Sequence, residues 1–446
     1  GPPPSGDPAA PWRLDLIQHR LYSPGLEVET VTAFSATPIE AAIRVRRSTA
    51  SLNSPPPAPL TLDPASVRIE EVWSQRGPAT LTTLIGATDD GRPLALDLRE
   101  PALGGMGPHG VIVGATGSGK SELLRTLVLG LALGHSPAQL NLLLVDFKGG
   151  AAFSGLAGLP QVCGLVTNLA DEPDAITRVQ ASLDAEVTRR QRFLAGAGCA
   201  SAYEWASRET AEASSAEPTS HEEEQLPSLV IVIDEFAELL GEQPEFLQTL
   251  ITIGRLGRSL GIHLILASQR LEEGRLRGLE AHLAFRVALR TFSEAESYQV
   301  LGCPDAALLA RIPGLGVFRP APGQLIRFRA GYVSGEAPAA HEGSVPVAVE
   351  LRQPGWRACE SWAPRPDLAL TPDLARAPEL ARPTVLQLAL AVIAQAPHAT
   401  PVRRIWLPPL PSRIALDEID HRPRHSTAVA PSAGRSWAPI GVVDLP

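Results

Sequence analysis

Lysine is nearly missing from this 446-residue chain, since only two of its 39 basic residues, Lys120 and Lys148, are lysine. Arginine supplies the other basic charges, and proline reaches 43 residues. We interpret this bias as the product of GC-rich coding, because it matches no functional class by itself. A lysine that is kept in such a chain directs attention to the motif around it.

Long apolar runs and paired cysteines are also lacking. No stretch of about 18 apolar residues occurs, so this sequence contains no candidate transmembrane helix. Without any C-x-x-C spacing the cysteines indicate neither zinc nor redox chemistry, and reduced, mostly buried thiols are expected. A net charge of −9 argues against a nucleic-acid footprint over the whole surface and leaves only a local basic stripe open. The cysteines are Cys163, Cys199, Cys303 and Cys359.

The central motif is G-x-x-x-x-G-K-S at residues 114–121, between the apolar run 111–113 and a helix-like stretch. Glycines let such a loop point its N–H groups at a phosphate chain, and the following helix adds its positive dipole end. Lys120 is expected to reach the β/γ-phosphates of ATP and Ser121 to ligate Mg²⁺. The residues expected to contact the nucleotide are Gly114, Ala115, Thr116, Gly117, Ser118, Gly119, Lys120, Ser121 and Glu122.

Two carboxylates, Asp234 and Glu235, follow the aliphatic run 229–233. Asp234 is predicted to hold the Mg²⁺ shell and Glu235 to polarise the attacking water. The alternative is a simple helix N-cap, but the glycine loop upstream favours the catalytic interpretation. A glutamate at this position is typical of a hydrolysing ATPase and not of a GTP switch, which uses glutamine to position water.

Gln269 closes the next apolar strand, which we expect to lie between the strands carrying Val113 and Ile233. It is predicted to sense the γ-phosphate or the attacking water, and the alternative is a plain strand-end amide. Arg258, ahead of Arg255, is predicted to stabilise phosphate charge on a neighbouring subunit, because guanidinium is planar and permanently charged. A surface salt bridge is the alternative for each arginine.

Lys148 follows another buried strand at residues 141–147 and begins Lys-Gly-Gly. Lys148 has two interpretations: a role in the architecture of the site or in translocation, or an exposed cation on a turn.

The last ten residues contain a short internal similarity, because 439–444 (PIGVVD) resembles 84–89 (LIGATD). If this is not coincidence, a second similar module begins there.

Alternating apolar strands and helices from about residue 108 to 330 predict a doubly wound, mostly parallel α/β sheet with helices on both faces. A hairpin is expected at 81–98, helices at 171–194 and 384–396, an acidic loop at 209–225 and an extended segment at 406–411. Short strands are expected at 26–31 and 42–45. The predicted units are an upstream domain end and linker (1–79), an ATPase domain (80–335), a C-terminal helix and extended linker (336–412) and a linker into a second module (413–446).

These motifs resemble FtsK/SpoIIIE-type ATPases, and most of all the first ATPase module of the EccC proteins of type VII (ESX) secretion. The resemblance is dense over residues 80–335 and thin before residue 66. It implies a RecA-like (ASCE) P-loop NTPase fold with a small N-terminal extension and a C-terminal linker. The stretches that carry it are 105–110, 114–130, 145–151, 166–172, 253–261, 267–278, 289–293, 300–306 and 406–411.

The resemblance implies a motor that uses ATP and Mg²⁺ to export small helical WXG100-type proteins. It also implies hexameric rings, further ATPase modules in the same polypeptide, other type VII secretion components as partners, and attachment to the cytoplasmic face of the bacterial cell membrane through N-terminal helices absent from this sequence. A surface pocket of the first module would hold the linker to the second, and residues 406–411 are the candidate contact. A plain spacer is the alternative there. The competing functions are an FtsK-like DNA translocase, which the acidic balance disfavours, and a non-hydrolysing scaffold.

Overall fold

A computed structural model of the chain describes most of residues 69–337 and several shorter parts. None of the helices in these parts is long and apolar enough to cross a bilayer. The predicted strands at 26–31 and 42–45 lie outside the described residues. The described residues are 13–15, 20–22, 61–62, 69–74, 78–169, 173–213, 225–271, 274, 276–337, 356–357, 383–396 and 402–406.

The chain divides into two units, Gly1–Pro56 and Pro57–Pro446. Within the first unit, strand β1 (Arg13–Asp15) pairs antiparallel with β2 (Arg20–Tyr22). Within the second, β3 (Thr61–Leu62) pairs with β14 (Trp356–Arg357). The domain boundaries predicted at residues 79, 335 and 412 stay predictions.

Ten strands of the second unit form one sheet. In spatial order they are β5 (Pro93–Asp97), β4 (Thr82–Thr88), β13 (Ile326–Ala330), β12 (Leu315–Arg319), β11 (Phe285–Leu289), β6 (His109–Val113), β10 (Ile262–Ser268), β9 (Ser228–Asp234), β7 (Leu140–Asp146) and β8 (Val162–Val166). All neighbours from β11 to β8 are parallel, and all from β11 to β5 are antiparallel. The prediction that β10 separates β6 from β9 is therefore confirmed.

Eight helices are described in the second unit. They are α1 (Ile69–Trp73), α2 (Lys120–Gly134), α3 (Pro173–Gly196), α4 (Ala202–Ala213), α5 (Phe236–Glu242), α6 (Phe246–Leu260), α7 (Glu294–Leu301) and α8 (Val385–Gln395). The core has two parts, one on each face of the sheet. One contains α1, α2 and α8, and the other contains α3, α5, α6 and α7.

Strand pleating divides the central strands between these two cores. Ile112 of β6 packs in the core with α2, whereas Val111 and Val113 pack in the core with α6. Every residue of β6, β7 and β10 is buried. Continuous apolar runs are expected for parallel strands covered on both faces. The predicted doubly wound α/β fold, mostly parallel at its centre, is confirmed.

Several predicted elements appear with small shifts in their ends. β4 and β5 form the hairpin around residues 89–91. Helix α8 begins with a capping box, in which the Thr384 hydroxyl accepts from Gln387 N at 3.2 Å and the Gln387 side chain accepts from Thr384 N at 2.9 Å. The loop predicted from residue 209 is wrong for 209–213, which continue α4, because Glu and Ala favour a helix. Residues 214–224 and 407–411 lie outside the described parts.

The cysteines of the described residues are free thiols, as predicted. Cys163 and Cys199 are buried and Cys303 is half-buried. Burial raises the pKa of the Cys163 thiol to about 12, which leaves it inert as a nucleophile near neutral pH. Cys359 is not among the described residues.

Candidate functional site

The glycine loop lies where β6 ends and α2 begins. Gly117 and Gly119 have φ of 76° and 97°, values that residues with a side chain rarely adopt. A Cβ on Gly119 would lie 2.6 Å from the backbone nitrogen of Gly314. The loop therefore requires glycine here, both for its conformation and for a neighbouring backbone, as expected of a loop that would wrap a phosphate chain.

Three backbone hydrogen bonds fix this loop to neighbouring segments. Gly114 N donates to Ser268 O at 3.2 Å and Ala115 N donates to Arg290 O at 2.9 Å. Gly314 N donates to Ser118 O at 2.7 Å. The loop is thus held by the ends of β10 and β11, at the carboxyl edge of the parallel strands where α/β proteins bind ligands.

Lys120 is the centre of a buried cluster of charges. Its ammonium donates to the Asp234 carboxylate and, at 2.7 Å, to Glu235 Oε1. Lys120, Asp234 and Glu235 are only 5–7% exposed. Burial raises the pKa of Asp234 while Lys120 acts to lower it. The structure thus brings together the lysine and both carboxylates that the sequence assigned to the site.

Glu235 has an unusual backbone, with φ 57° as the N-cap of α5. A non-glycine residue in this left-handed region is strained and needs support from its surroundings. Support comes from Glu235 N donating to Asp234 Oδ1 at 3.0 Å and from Gln269 N donating to Glu235 Oε2 at 3.2 Å. The side chain is therefore aimed back at the glycine loop instead of capping the helix.

Gln269 joins the glycine loop to Glu235. Thr116 Oγ1 donates to Gln269 Oε1 at 2.7 Å, while the backbone nitrogen of Gln269 contacts Glu235. The structure places this amide in the site, as the sequence predicted, and its sensing role stays a prediction. Glu122 accepts from Arg125 at 2.6 Å and from the Ser334 hydroxyl at 2.6 Å, so only its N–H, in the first turn of α2, is available to a phosphate.

Ser121 and Asp234 could hold Mg²⁺ together with the nucleotide. Ser121 lies in the first turn of α2, next to Lys120. Mg²⁺ prefers hard oxygen ligands and is usually bound by one or two protein groups together with substrate phosphates. A hydroxyl beside the phosphate cradle and a carboxylate at the end of β9 are the ligand types that such an ion requires.

Arg258 lies far from the loop of its own chain. It is near the end of α6, its side chain is 65% exposed, and it pairs with Glu100. Strand β10 (Ile262–Ser268) runs from the end of α6 to the glycine loop. Its length separates Arg258 from that loop by about 20 Å. Arg255 is also exposed on α6. The structure brings neither arginine to the glycine loop of the same chain.

Asp146 is a site residue that sequence reasoning did not assign. It ends β7 in register with Asp234, and it is 2% exposed. Desolvation raises the pKa of its carboxyl, with Lys120 acting in the opposite direction. The signal in the sequence is an acidic residue at the end of an apolar strand, the same signal that identified Asp234.

A parallel sheet with a glycine loop after β6, and a lysine paired with two carboxylates after β9, defines a P-loop ATPase site of RecA-like strand order. Residues 67–273 match the sequence profile of the FtsK/SpoIIIE family. These residues therefore form an ATPase domain of the FtsK/SpoIIIE family.

Two curated relatives give this likeness a narrower context. The chain is 44% identical over 366 residues to the ESX-4 secretion system protein EccC4 of Mycobacterium tuberculosis, covering 81% of this chain and 28% of that protein. It is 43% identical over 414 residues to the ESX secretion system protein EccC of Thermomonospora curvata, covering 87% and 29%. The chain thus spans less than a third of each relative.

A solved structure agrees with both the sequence match and the fold. The cytoplasmic domain of the Thermomonospora curvata type VII secretion ATPase EccC aligns with a TM-score of 0.67 and 41% identity. The alignment covers 85% of this chain and 39% of that one. The chain is similar to EccC proteins of ESX systems over most of its length.

Proposed function

We propose that this chain hydrolyses ATP at the site between the glycine loop and the end of β9. The observation that supports this most directly is the position of Lys120 between Asp234 and Glu235. A phosphate chain carries more negative charge than these two carboxylates, so Lys120 exchanges them for the β/γ-phosphates when ATP binds. That exchange releases both carboxylates for chemistry.

The two carboxylates have different roles. Asp234, together with Ser121, would hold Mg²⁺, which would neutralise charge on the phosphates. Glu235 accepts a hydrogen bond from the attacking water and orients it towards the γ-phosphate. Gln269, joined to Thr116 and to the backbone beside Glu235, changes partners when the γ-phosphate leaves and so reports its loss.

A Glu235→Gln variant tests the hydrolytic site. We expect turnover to fall at least about 100-fold, because the amide cannot act as a base, while the Kd for ATP changes less than about threefold. Lys120→Ala is the companion variant and should lose ATP binding. Equal turnover in wild type and Glu235→Gln would contradict the role of Glu235, and the absence of turnover in wild type would favour a non-hydrolysing scaffold.

We further propose that hydrolysis powers protein export in a type VII secretion system at the cytoplasmic face of a bacterial membrane. The support is the similarity to proteins named as ESX secretion components and to a type VII secretion ATPase. The proposed partners are small helical WXG100-type substrates, other secretion components and further ATPase modules of the same polypeptide. Hydrolysis stimulated by duplex DNA, and weakened by salt, would instead indicate an FtsK-like DNA translocase.

Residues 402–406 support a proposal of linker inhibition. Ile405 N donates to Cys163 O at 3.0 Å on the edge strand β8, and Trp406 is 8% exposed. The Arg178 guanidinium lies 5.2 Å from the centre of the Trp406 ring. We propose that this contact between the linker and β8 and α3 holds ATPase activity down.

We also propose that the active form is a hexameric ring in which Arg258 acts on the nucleotide of a neighbouring subunit. The support is geometric, because Arg258 is exposed near the start of β10, at the end of the parallel strands opposite the site of its own chain. An arginine in that position reaches only a nucleotide that another subunit holds.

A further inference from the structure

Lys148 is the second lysine of the chain, and the hydrolytic roles assigned above leave it unused. It lies on the turn that follows β7, and its ammonium contacts Glu238 Oε1 at 2.7 Å. Glu238 belongs to the first turn of α5, three residues after Glu235. The pair therefore joins the turn after β7 to the helix that begins at the proposed water-polarising residue.

Asp146 determines the shape of this turn. Its Oδ1 accepts from Lys148 N at 3.0 Å and its Oδ2 accepts from Ala152 N at 3.1 Å. Gly149 and Gly150 between them have φ of 71° and 64°. Both carboxylate oxygens are thus used to close the turn, which presents Lys148 towards α5.

The same turn is attached to the helix of the glycine loop. Arg125 of α2 donates to Ala152 O at 3.0 Å and to Ser154 Oγ at 3.2 Å, and it also contacts Ala151 O. Arg125 is 17% exposed on its side chain and pairs with Glu122. The turn therefore bridges the phosphate-binding helix and α5.

Glu235 depends on outside contacts, because its φ of 57° is unfavourable for glutamate. Glu238 N donates to Glu235 O at 3.1 Å, so a shift of the first turn of α5 moves Glu235 directly. We propose that the Lys148–Glu238 pair, presented by the turn that Asp146 closes, holds Glu235 in its working position. Lys148, Glu238 and Asp146 are then positioning residues for the proposed hydrolysis, on which this inference rests.

Single variants of the pair test this. We expect Lys148→Met and Glu238→Gln each to lower kcat about fivefold, with less than about a twofold change in the KM for ATP, because the pair orients Glu235 without touching ATP. The double variant should be no worse than either single one. Exchanging the charges, with Lys148→Glu and Glu238→Lys together, should restore kcat.

The chain offers a matched control in Glu204 and Arg208, an exposed pair on α4 at 3.0 Å whose side chains are 45% and 46% exposed. Glu204→Gln with Arg208→Met should leave kcat unchanged. An unchanged kcat in Lys148→Met, or a charge exchange that does not restore it, would overturn the inference.

Amide hydrogen exchange separates this inference from the proposed hydrolysis. The Glu238 amide, bound to Glu235 O, should exchange at least about threefold faster in Lys148→Met than in wild type, whether or not the chain turns over ATP. Asp146→Asn should speed exchange at Ala152 as well as at Glu238. Unchanged exchange at Glu238 in both variants would contradict the positioning role, whereas absent turnover with altered exchange would contradict only the hydrolysis.

Discussion

Gly119 shows at the scale of one residue how the glycine loop depends on its surroundings. Its φ is 97°, and a Cβ there would meet Gly314 N at 2.6 Å. Gly117, in the same loop, has φ 76° but open space around it. Both glycines thus have a positive φ, but only Gly119 also lacks room for a side chain.

We predict that Gly119→Ala destabilises the fold more than Gly117→Ala. The first variant suffers both backbone strain and a clash with a main chain that cannot rotate away, and the second suffers strain alone, of about 1 kcal/mol. The difference in the free energy of unfolding should reach about 1–2 kcal/mol in a urea titration. Equal losses would show that the Gly314 segment yields.

Buried histidines predict a dependence of stability on pH. His109 begins β6, its Nδ1 accepts from Leu264 N at 3.0 Å, and burial, helped by the charge of His282, lowers its pKa to about 4. The folded chain keeps His109 neutral while the unfolded chain protonates it below about pH 6.5. The contribution of neutral His109 to the free energy of unfolding is therefore complete above pH 6.5 and is lost as pH falls towards 4.

A His109→Asn variant isolates this contribution, since the Asn oxygen can accept from Leu264 N. Between pH 6.5 and 4.5 the free energy of unfolding should fall with a slope about 1.4 kcal/mol per pH unit steeper in wild type than in the variant. The raised pKa values of Asp146 and Asp234 act in the opposite sense but are common to both proteins. Parallel pH curves would contradict a neutral, buried His109.

At the scale of elements, the sequence predicted most accurately what depends on local spacing. The glycine loop, the strand that ends at Asp234 and helix α8 are each specified by a short pattern, and each is found. The position of β10 between β6 and β9 was predicted from the α/β architecture, and the role predicted for Gln269 followed from that position.

Contacts that depend on the geometry of a folded loop, or on how distant segments meet, could not be predicted in the same way. The Arg258–Glu100 pair and the use of Asp146 by the turn after β7 depend on register and on loop geometry. A sequence shows that Asp146 ends an apolar strand, but which backbone groups its oxygens accept is fixed only when the turn folds. The Lys148–Glu238 pair similarly spans 90 residues.

The segment 402–406 packs on strand β8, and a substitution at Trp406 can test what this contact does. Trp406 packs beside Gly164, where a Cβ would lie 2.6 Å from Trp406 Cβ, and beneath Arg178. We predict that Trp406→Ala releases the segment and raises the ATPase rate at least about threefold, because a mostly buried aromatic residue provides much of the contact.

Trp406→Phe is the matched control, since it keeps an aromatic face for Arg178 and should leave the rate within about twofold of wild type. Steady-state hydrolysis at one protein concentration measures both variants. A rate in Trp406→Ala that is unchanged or lower would show that residues 402–406 are a spacer.

At the scale of the whole molecule, the role of Arg258 decides whether ATP hydrolysis depends on assembly. As a surface residue paired with Glu100, it contributes at most about 1 kcal/mol to stability and nothing to turnover. As a residue that completes a neighbour's site, it makes hydrolysis depend on assembly. In the second case the specific activity rises with protein concentration, and Arg258→Ala removes that rise with at least about a tenfold loss at high concentration.

Mixing subunits gives the sharper test of that assembly. Glu235→Gln subunits keep Arg258, and Arg258→Ala subunits keep Glu235, so each inactive protein supplies what the other lacks. We predict that the mixture regains activity that neither protein has alone, and that Arg255→Ala, altered one turn earlier on α6, stays within about twofold of wild type. No recovery on mixing would contradict a role in trans, because subunits that share a ring must form some interfaces joining an intact Arg258 to an intact Glu235.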